Sequence, residues 1–215
     1  MKLDLMHPAV VTRKSEAVVL FDIMKMAADK RDKDLTLNGF VKTISDMAHD
    51  LFTEDDDKNK FKGDMFEIFT EMYFGIITSQ ITGGVTEYEP LHGSEVSDDG
   101  VDGMGITYAG DRCVVQVKYR TNPTKQIFTN ALKNTHSQGI MEHLIDFDIS
   151  KDKKGIDLRD NSIVLFTNCD GANKHAHEYF GRLLYVIGNK EISSEVNGNV
   201  FFWNACKEIL DGNYA

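Results

Sequence analysis

The sequence predicts an α/β fold in which a central mixed β-sheet is flanked by helices and preceded by a helical N-terminal segment. The first indication is a β-hairpin, with strands at 103–108 and 112–119 joined by Ala109-Gly110-Asp111, residues that favour tight turns. The second is the run SIVLFTN at 162–168, which is typical of a strand buried on both faces of a parallel sheet. A helical pattern between the two predicts a right-handed crossover connection.

Length and charge limit the classes of protein to consider. The 215 residues suffice for one sizeable domain with a helical appendage, and we divide the chain into residues 1–58 and 59–215. No apolar run is long enough to span a bilayer, so we expect a cytoplasmic protein with no membrane partner. Three widely spaced cysteines predict neither a disulfide framework nor a zinc site. The net charge of −10 argues against broad affinity for nucleic acid but is compatible with a local basic cleft.

Helical spacing dominates the first third of the chain. It predicts helices at 15–29 and 38–52, the second capped by Asn38, then a charged linker at 53–60 and a helix at 62–79. The first two helices are compatible with a helix-turn-helix, but they carry no basic recognition helix, so we favour packing on the domain or a dimer contact. On the third helix, Asp64, Glu67 and Glu71 form an acidic stripe, which alone is typical of a solvated face.

The remaining elements follow from local signals. We predict a strand at 85–88, a helix opened by Asn122-Pro123 and running to residue 140, a helix at 172–180, a strand at 182–187 and a final helical or mixed segment.

The hairpin contains polar residues where a buried strand would carry apolar ones. Gln116 and Lys118 alternate with Val117 and therefore share one face of their strand. If the turn is centred on Gly110, Asp102 lies directly opposite Lys118 on that face. A charge in such a strand is costly unless it is paired or bound to a metal. Each residue alone also fits a structural role, as a turn aspartate, a core amide or a lysine reaching solvent, but the three together favour a functional site.

These residues occur in an order that resembles a known family. The elements are Gly63-Asp64-Met65-Phe66-Glu67 on a helix, Gly100-Val101-Asp102 before the hairpin, and Val115-Gln116-Val117-Lys118 within it. Together they resemble the PD-(D/E)XK nuclease superfamily in its Q-x-K variant, and more closely the Mrr-type nuclease domains of restriction endonucleases. The resemblance covers residues 62–187 and implies a restriction-endonuclease-like core and Mg²⁺-dependent hydrolysis of DNA, with Mn²⁺ as a substitute.

The resemblance also implies roles for individual residues. Asp102 would be the main Mg²⁺ ligand, Gln116 would offer its amide oxygen, and the backbone carbonyl of Val117 could contribute. Glu67 would supplement them directly or through water, because an amide in place of a carboxylate leaves the site with less negative charge. Lys118 would orient the attacking water and stabilise the developing charge.

Partners and alternatives complete the interpretation. Candidates for phosphate contacts are Tyr119, Arg120, Lys125 and Lys133, and we regard His175 and His177 as surface residues near the cleft. The enzyme would be of restriction type or phage type, or a junction resolvase, and a homodimer joined through the N-terminal helices is plausible. The alternative is a non-enzymatic protein of this fold, either a DNA-mimic inhibitor or an assembly subunit, which the acidic charge favours weakly.

Overall fold

A computed structural model describes residues 35–77, 84–90, 102–127, 162–174 and 184–210 of the chain, and the structural statements below concern those residues. The chain divides into two compact units. The helical unit comprises Met1–Ser79 and Lys190–Ala215, and the sheet unit comprises Gln80–Asn189. The predicted helix at 15–29 and most of the predicted helices at 122–140 and 172–180 lie outside the described residues.

The sheet unit contains a five-stranded mixed sheet. Its strands follow one another in space as they do in sequence: β1 (Val85–Pro90), β2 (Gly103–Thr107), β3 (Arg112–Lys118), β4 (Ser162–Thr167) and β5 (Leu184–Ile187). The pairs β1–β2 and β2–β3 are antiparallel, whereas β3–β4 and β4–β5 are parallel. The predicted mixed sheet is therefore confirmed, and the chain has an α/β fold.

The burial of strand β4 accounts for the unbroken apolar run at 163–166. Every residue from Ser162 to Thr167 is buried, and β4 pairs with β3 on one side and β5 on the other. Since consecutive side chains point to opposite faces and all are buried, neither face is turned to water, and the alternation of polar and apolar residues is lost.

The hairpin register differs from the prediction. Thr107 and Asp111 close the turn, with the Thr107 N–H donating to the Asp111 carbonyl at 2.8 Å. The loop therefore has three residues, and its last, Gly110, takes the left-handed conformation with φ of 86°. The turn is centred on Ala109 rather than Gly110, and Gly103 pairs with Val115. Continuing this register places Asp102 level with Gln116, so the predicted pairing of Asp102 with Lys118 was wrong.

The helical unit contains four described helices: α1 (Leu37–Leu51), α2 (Asp55–Ile76), α3 (Asn189–Val196), which begins in the last residue of the sheet unit, and α4 (Val200–Leu210). Helix α1 starts before the predicted cap, because the Thr36 side chain accepts a hydrogen bond from the Gly39 N–H at 2.9 Å. Among the described residues, no helix combines the length and the apolar character that crossing a membrane requires.

Helix α2 is longer at its N-terminus than predicted. The predicted linker at 53–60 was wrong from Asp55 onward, since Asp55, Asp56 and Asp57 form the first turn of the helix. Acidic side chains there are favourable because they face the positive end of the helix dipole. Glu71, interpreted from sequence as a surface acid, is buried with 7% of its surface exposed, so that interpretation was also wrong.

Aromatic side chains form the core of the helical unit. Phe40 of α1 stacks on Phe69 of α2 with ring centroids 4.8 Å apart, and Phe202 of α4 contacts Phe69 edge-on at 5.8 Å. Trp203 lies 6.3 Å from Phe40 and donates its indole N–H to the Val196 carbonyl at 2.8 Å. The apolar face of α1 is thus used within its own unit, as the packing interpretation predicted.

Candidate active site at the end of the hairpin

Asp102 lies immediately before β2, and its carboxylate binds the backbone of β3. Its Oδ2 accepts a hydrogen bond from the Val117 N–H at 2.6 Å, and its own N–H donates to the Val115 carbonyl at 2.9 Å. The residue is 8% exposed. A buried carboxylate is thereby held beside the residue that separates Gln116 from Lys118.

Gln116 and Lys118 share one face of β3, because side chains alternate along a strand. Gln116 is 4% exposed, and its Oε1 is buried without a hydrogen-bond partner among the described residues. Lys118, the last residue of β3, is partly exposed. Burying an amide oxygen without a partner is costly, and such atoms call for an explanation when they occur in a native fold.

Val117 contributes through its backbone. The N–H and carbonyl of one strand residue point toward the same neighbouring strand. Since the Val117 N–H is bound by Asp102, the Val117 carbonyl is directed to the same side of β3. Carboxylate, amide and carbonyl oxygens are the hard ligands that Mg²⁺ accepts, so this set of atoms fits the metal that the sequence predicts.

The fourth predicted ligand belongs to the other unit. Glu67 lies in the middle of α2 and is partly buried, whereas Asp102, Gln116 and Lys118 belong to the sheet unit. Within the described part of the chain, no three or more His, Cys, Asp and Glu side chains gather as a metal-binding group. The candidate site has a single side chain of these types, Asp102. Its other oxygens come from the Gln116 amide and the Val117 backbone carbonyl.

The predicted phosphate-binding residues follow directly after β3. Arg120 and Lys125 are exposed, while Lys133, His175 and His177 lie outside the described residues. Tyr119 is partly buried, and burial, with a smaller contribution from the nearby Cys169, raises the pKa of its phenol to about 12. Tyr119 therefore stays neutral at physiological pH.

Asn122-Pro123 predicted the start of a helix after β3. That prediction was wrong for residues 122–127, which are not helical. The Asn122 side chain accepts a hydrogen bond from the Thr124 N–H at 3.1 Å, which makes a local turn. Ile127 then pairs in parallel with Ala172, and its N–H donates to the Gly171 carbonyl at 2.7 Å. The backbone of residues 122–127 is thus paired with the loop after β4. Helical geometry begins at Lys174, two residues after the predicted start at Ala172.

Two residues at the end of β4 were missed by the sequence analysis. The Thr167 hydroxyl donates to the Lys118 carbonyl at 2.6 Å. The Asn168 side chain binds Arg120 twice, accepting from its N–H at 2.8 Å and donating to its carbonyl at 2.7 Å. Both Thr167 and Asn168 are fully buried. The only signal in the sequence was the polar pair itself, which follows an apolar run, and it does not reveal the contact with Lys118 or Arg120.

The cysteines of this region are buried and free. Burial raises the pKa of the Cys113 thiol to about 12, with an opposing effect from the Gly105 backbone. Burial likewise raises the pKa of Cys169, while a hydrogen bond with Thr167 and the Arg120 charge oppose the change. Neither thiol is ionised at neutral pH, so neither is a candidate nucleophile.

No protein-family model matches this chain, and a search of curated proteins finds no similar sequence.

Proposed function

We propose that the protein is a Mg²⁺-dependent endonuclease of the PD-(D/E)XK type that hydrolyses DNA phosphodiester bonds, with its active site at the end of the hairpin. The single observation that carries the proposal is the Gln116 amide oxygen, which is buried and has no hydrogen-bond partner among the described residues. It lies one residue from the backbone N–H that binds the Asp102 carboxylate. A bound cation would be a partner for this oxygen and would explain why it is buried without a hydrogen bond.

The neighbouring groups support the same chemistry. Asp102, Gln116 and the Val117 carbonyl would hold Mg²⁺, and Glu67 stays a predicted supplementary ligand. When bound, the ion supplies Lewis-acid stabilisation of the charge that develops on the scissile phosphate. The hydrogen bond from the Val117 N–H keeps Asp102 oriented, so the protein does not have to rearrange that carboxylate at each turnover.

Lys118 would act on the attacking water. Its ammonium shares a face with Gln116 and is partly exposed, so solvent and substrate can reach it. Water attacks phosphorus while the P–O bond to the leaving sugar oxygen breaks, and the water loses one proton as the leaving oxygen gains one. A lysine at this position orients the water oxygen and offsets the negative charge on the phosphate oxygens.

An acidic net charge disfavours broad contact with DNA, so any binding would depend on local cations. The net charge is −10, but Arg120 and Lys125 are exposed just after β3. We propose that these residues, with Lys118, form the contact with the phosphate backbone. The choice of DNA, a homodimeric assembly and a cytoplasmic location stay predictions from the sequence.

The test is cleavage of supercoiled, linear and branched DNA in Mg²⁺ or Mn²⁺. We expect activity in the parent protein and a loss of at least about a hundredfold in Asp102→Asn and Lys118→Ala, in line with removal of a group that acts in the transition state. Lys42→Ala is the matched control, since Lys42 is an exposed lysine of α1 that pairs with the exposed Asp46 of the same helix.

The outcomes separate the two candidate functions. Cleavage retained by both site variants would show a contaminating nuclease or a different active site. Absence of cleavage together with absence of Mg²⁺ binding by calorimetry would favour the non-enzymatic alternative, a DNA mimic or an assembly subunit.

A further inference from the structure

The chain just beyond β3 is held by the side chain of the residue that follows β4. The paired register of these parallel strands ends at Lys118 and Thr167. Beyond it, the Asn168 amide takes the place of a strand backbone, since its oxygen accepts from the Arg120 N–H at 2.8 Å and its nitrogen donates to the Arg120 carbonyl at 2.7 Å. A side-chain amide has the donor and acceptor of a peptide group, so it can satisfy both backbone groups of one residue.

The two hydrogen bonds between the Asn168 side chain and the Arg120 backbone are anchored in the sheet unit. Asn168 has no exposed surface, and its own carbonyl accepts from the Asn189 side chain at 3.0 Å, just beyond the end of β5. The chain beyond β3 is therefore tied to the end of β4 and, through Asn168, to Asn189, two residues beyond the end of β5. A buried network of this kind defines the direction of the chain more strictly than a turn in solvent would.

The residue held in this way carries an exposed cation. The Arg120 side chain is exposed, with its guanidinium 3.1 Å from the Tyr119 carbonyl. Arg120 lies two residues beyond Lys118, the proposed catalytic lysine. Fixing the backbone of an arginine reduces the freedom that its guanidinium loses when it binds a phosphate.

We infer that Asn168 is a positioning residue for substrate binding: it holds Arg120 so that the guanidinium contacts a DNA phosphate close to the scissile bond. This inference rests on the proposed function. The Asn168 amide would not touch the substrate itself, but it would determine how Arg120 contacts one phosphate.

The structure indicates that removing the amide would act locally. The segment after Arg120 keeps its other anchors, because the Asp170 N–H donates to the Pro123 carbonyl at 3.0 Å and the Ile127 N–H to the Gly171 carbonyl at 2.7 Å. We therefore expect Asn168→Ala to fold, with greater freedom confined to Arg120. Asn168→Asp is the second variant: it keeps an acceptor for the Arg120 N–H, but it replaces the donor with an oxygen facing the Arg120 carbonyl and adds a buried negative charge.

The test is the salt dependence of DNA binding, measured by fluorescence anisotropy with a short labelled duplex in EDTA so that no cleavage occurs. Each phosphate contact contributes about 1 to the slope of log K against log salt concentration, so we expect Arg120→Ala to lower the slope by about 1. Asn168→Ala should lower it in the same direction, and the double variant should bind no more weakly than Arg120→Ala alone. With Mg²⁺, Asn168→Ala should raise KM several-fold and leave kcat nearly unchanged.

Asn199 provides the matched control. It also makes a two-sided contact, accepting from the Phe202 N–H at 3.0 Å and donating to the Glu195 carbonyl at 2.8 Å, but in the helical unit. Asn199→Ala should lower the melting temperature without changing the salt slope. If Asn168 had only a structural role, Asn168→Ala would likewise lower the melting temperature and leave the salt slope unchanged.

The possible failures are distinguishable. If the parent protein does not bind DNA at all, the proposed function fails and this inference fails with it. If the parent binds and Arg120→Ala lowers the slope, but Asn168→Ala and Asn168→Asp leave it unchanged or add fully to Arg120→Ala, the endonuclease proposal stands and the positioning role is overturned.

Discussion

The Asp102 carboxylate accepts a hydrogen bond from the backbone N–H of Val117 at 2.6 Å. This contact joins the residue before β2 to the residue of β3 that separates Gln116 from Lys118. It gives the carboxylate a structural role in addition to the proposed metal-binding role, and the two roles can be measured separately.

The first prediction concerns Asp102. Asp102→Ala leaves the buried Val117 N–H without its acceptor, which should lower the free energy of unfolding by about 1–3 kcal/mol. Asp102→Asn retains an oxygen acceptor and should lose less, while both variants should lose stabilisation by Mg²⁺. Urea denaturation in EDTA and in Mg²⁺ measures both effects. Equal stabilisation of parent and Asp102→Asn by Mg²⁺ would contradict the ligand role.

The second prediction concerns Gln116. Gln116→Leu removes a buried oxygen that lacks a hydrogen-bond partner among the described residues, so stability in EDTA should be unchanged or higher. The rise of melting temperature with Mg²⁺ should then disappear, because the ligand is gone. Gln116→Glu should do the opposite, with lower stability in EDTA from an uncompensated buried charge and a larger rise with Mg²⁺.

Thermal melts over a range of Mg²⁺ concentrations decide the matter for Gln116. A monovalent salt at matched ionic strength is the control for general charge screening. A Gln116→Leu variant whose melting temperature rises with Mg²⁺ as much as the parent's would rule out the amide oxygen as a ligand.

The third prediction compares two glycines. A Cβ on Gly105 in β2 would overlap the Val85 side chain and lie 2.9 Å from the Thr86 carbonyl oxygen, so Gly105→Ala should destabilise the protein by about 1–3 kcal/mol. A Cβ on Gly63 in α2 meets nothing within 4 Å, and Gly63→Ala should stabilise the helix by about 0.5–1 kcal/mol. Urea denaturation of both variants measures these differences, and a stabilised Gly105→Ala would show that β1 and β2 are farther apart than described.

The fourth prediction concerns alkaline pH. The Cys113 thiol keeps its proton in the folded protein up to about pH 12, whereas its ordinary pKa is 9.0. Above about pH 9, unfolding therefore releases the thiol proton. The contribution of Cys113 to the free energy of unfolding should be constant below about pH 9 and should fall as the pH rises toward about 12. Cys113→Val, close in volume and unable to ionise, should show a shallower fall.

Urea denaturation at neutral pH and at about pH 10 tests this dependence, because the unfolded thiol is then largely ionised. The parent should lose more stability than Cys113→Val between the two conditions. Equal losses would mean that another group controls alkaline unfolding, and Tyr119, whose pKa is also raised to about 12, is the next to replace, as Tyr119→Phe.

The sequence predicts much of the fold because its signals are local. The run at 162–168 identified β4 through the absence of polar alternation, and Ala109-Gly110-Asp111 identified the hairpin turn. Helix α1 was predicted within one residue at each end, since its apolar spacing reflects a single buried face. The start of α2 was not, because an acidic first turn has the same composition as a charged loop.

What the sequence alone determined about the candidate site is the set of residue types: a carboxylate before the hairpin, and an amide and a lysine on one strand face. Only the tertiary structure decided the register. The left-handed Gly110 makes the loop three residues long, which brings Asp102 level with Gln116 and its carboxylate to the Val117 N–H. Only the tertiary structure, too, brought Asn168 to Arg120, 48 residues apart, because parallel pairing of β3 and β4 aligns their ends and no local pattern encodes that contact.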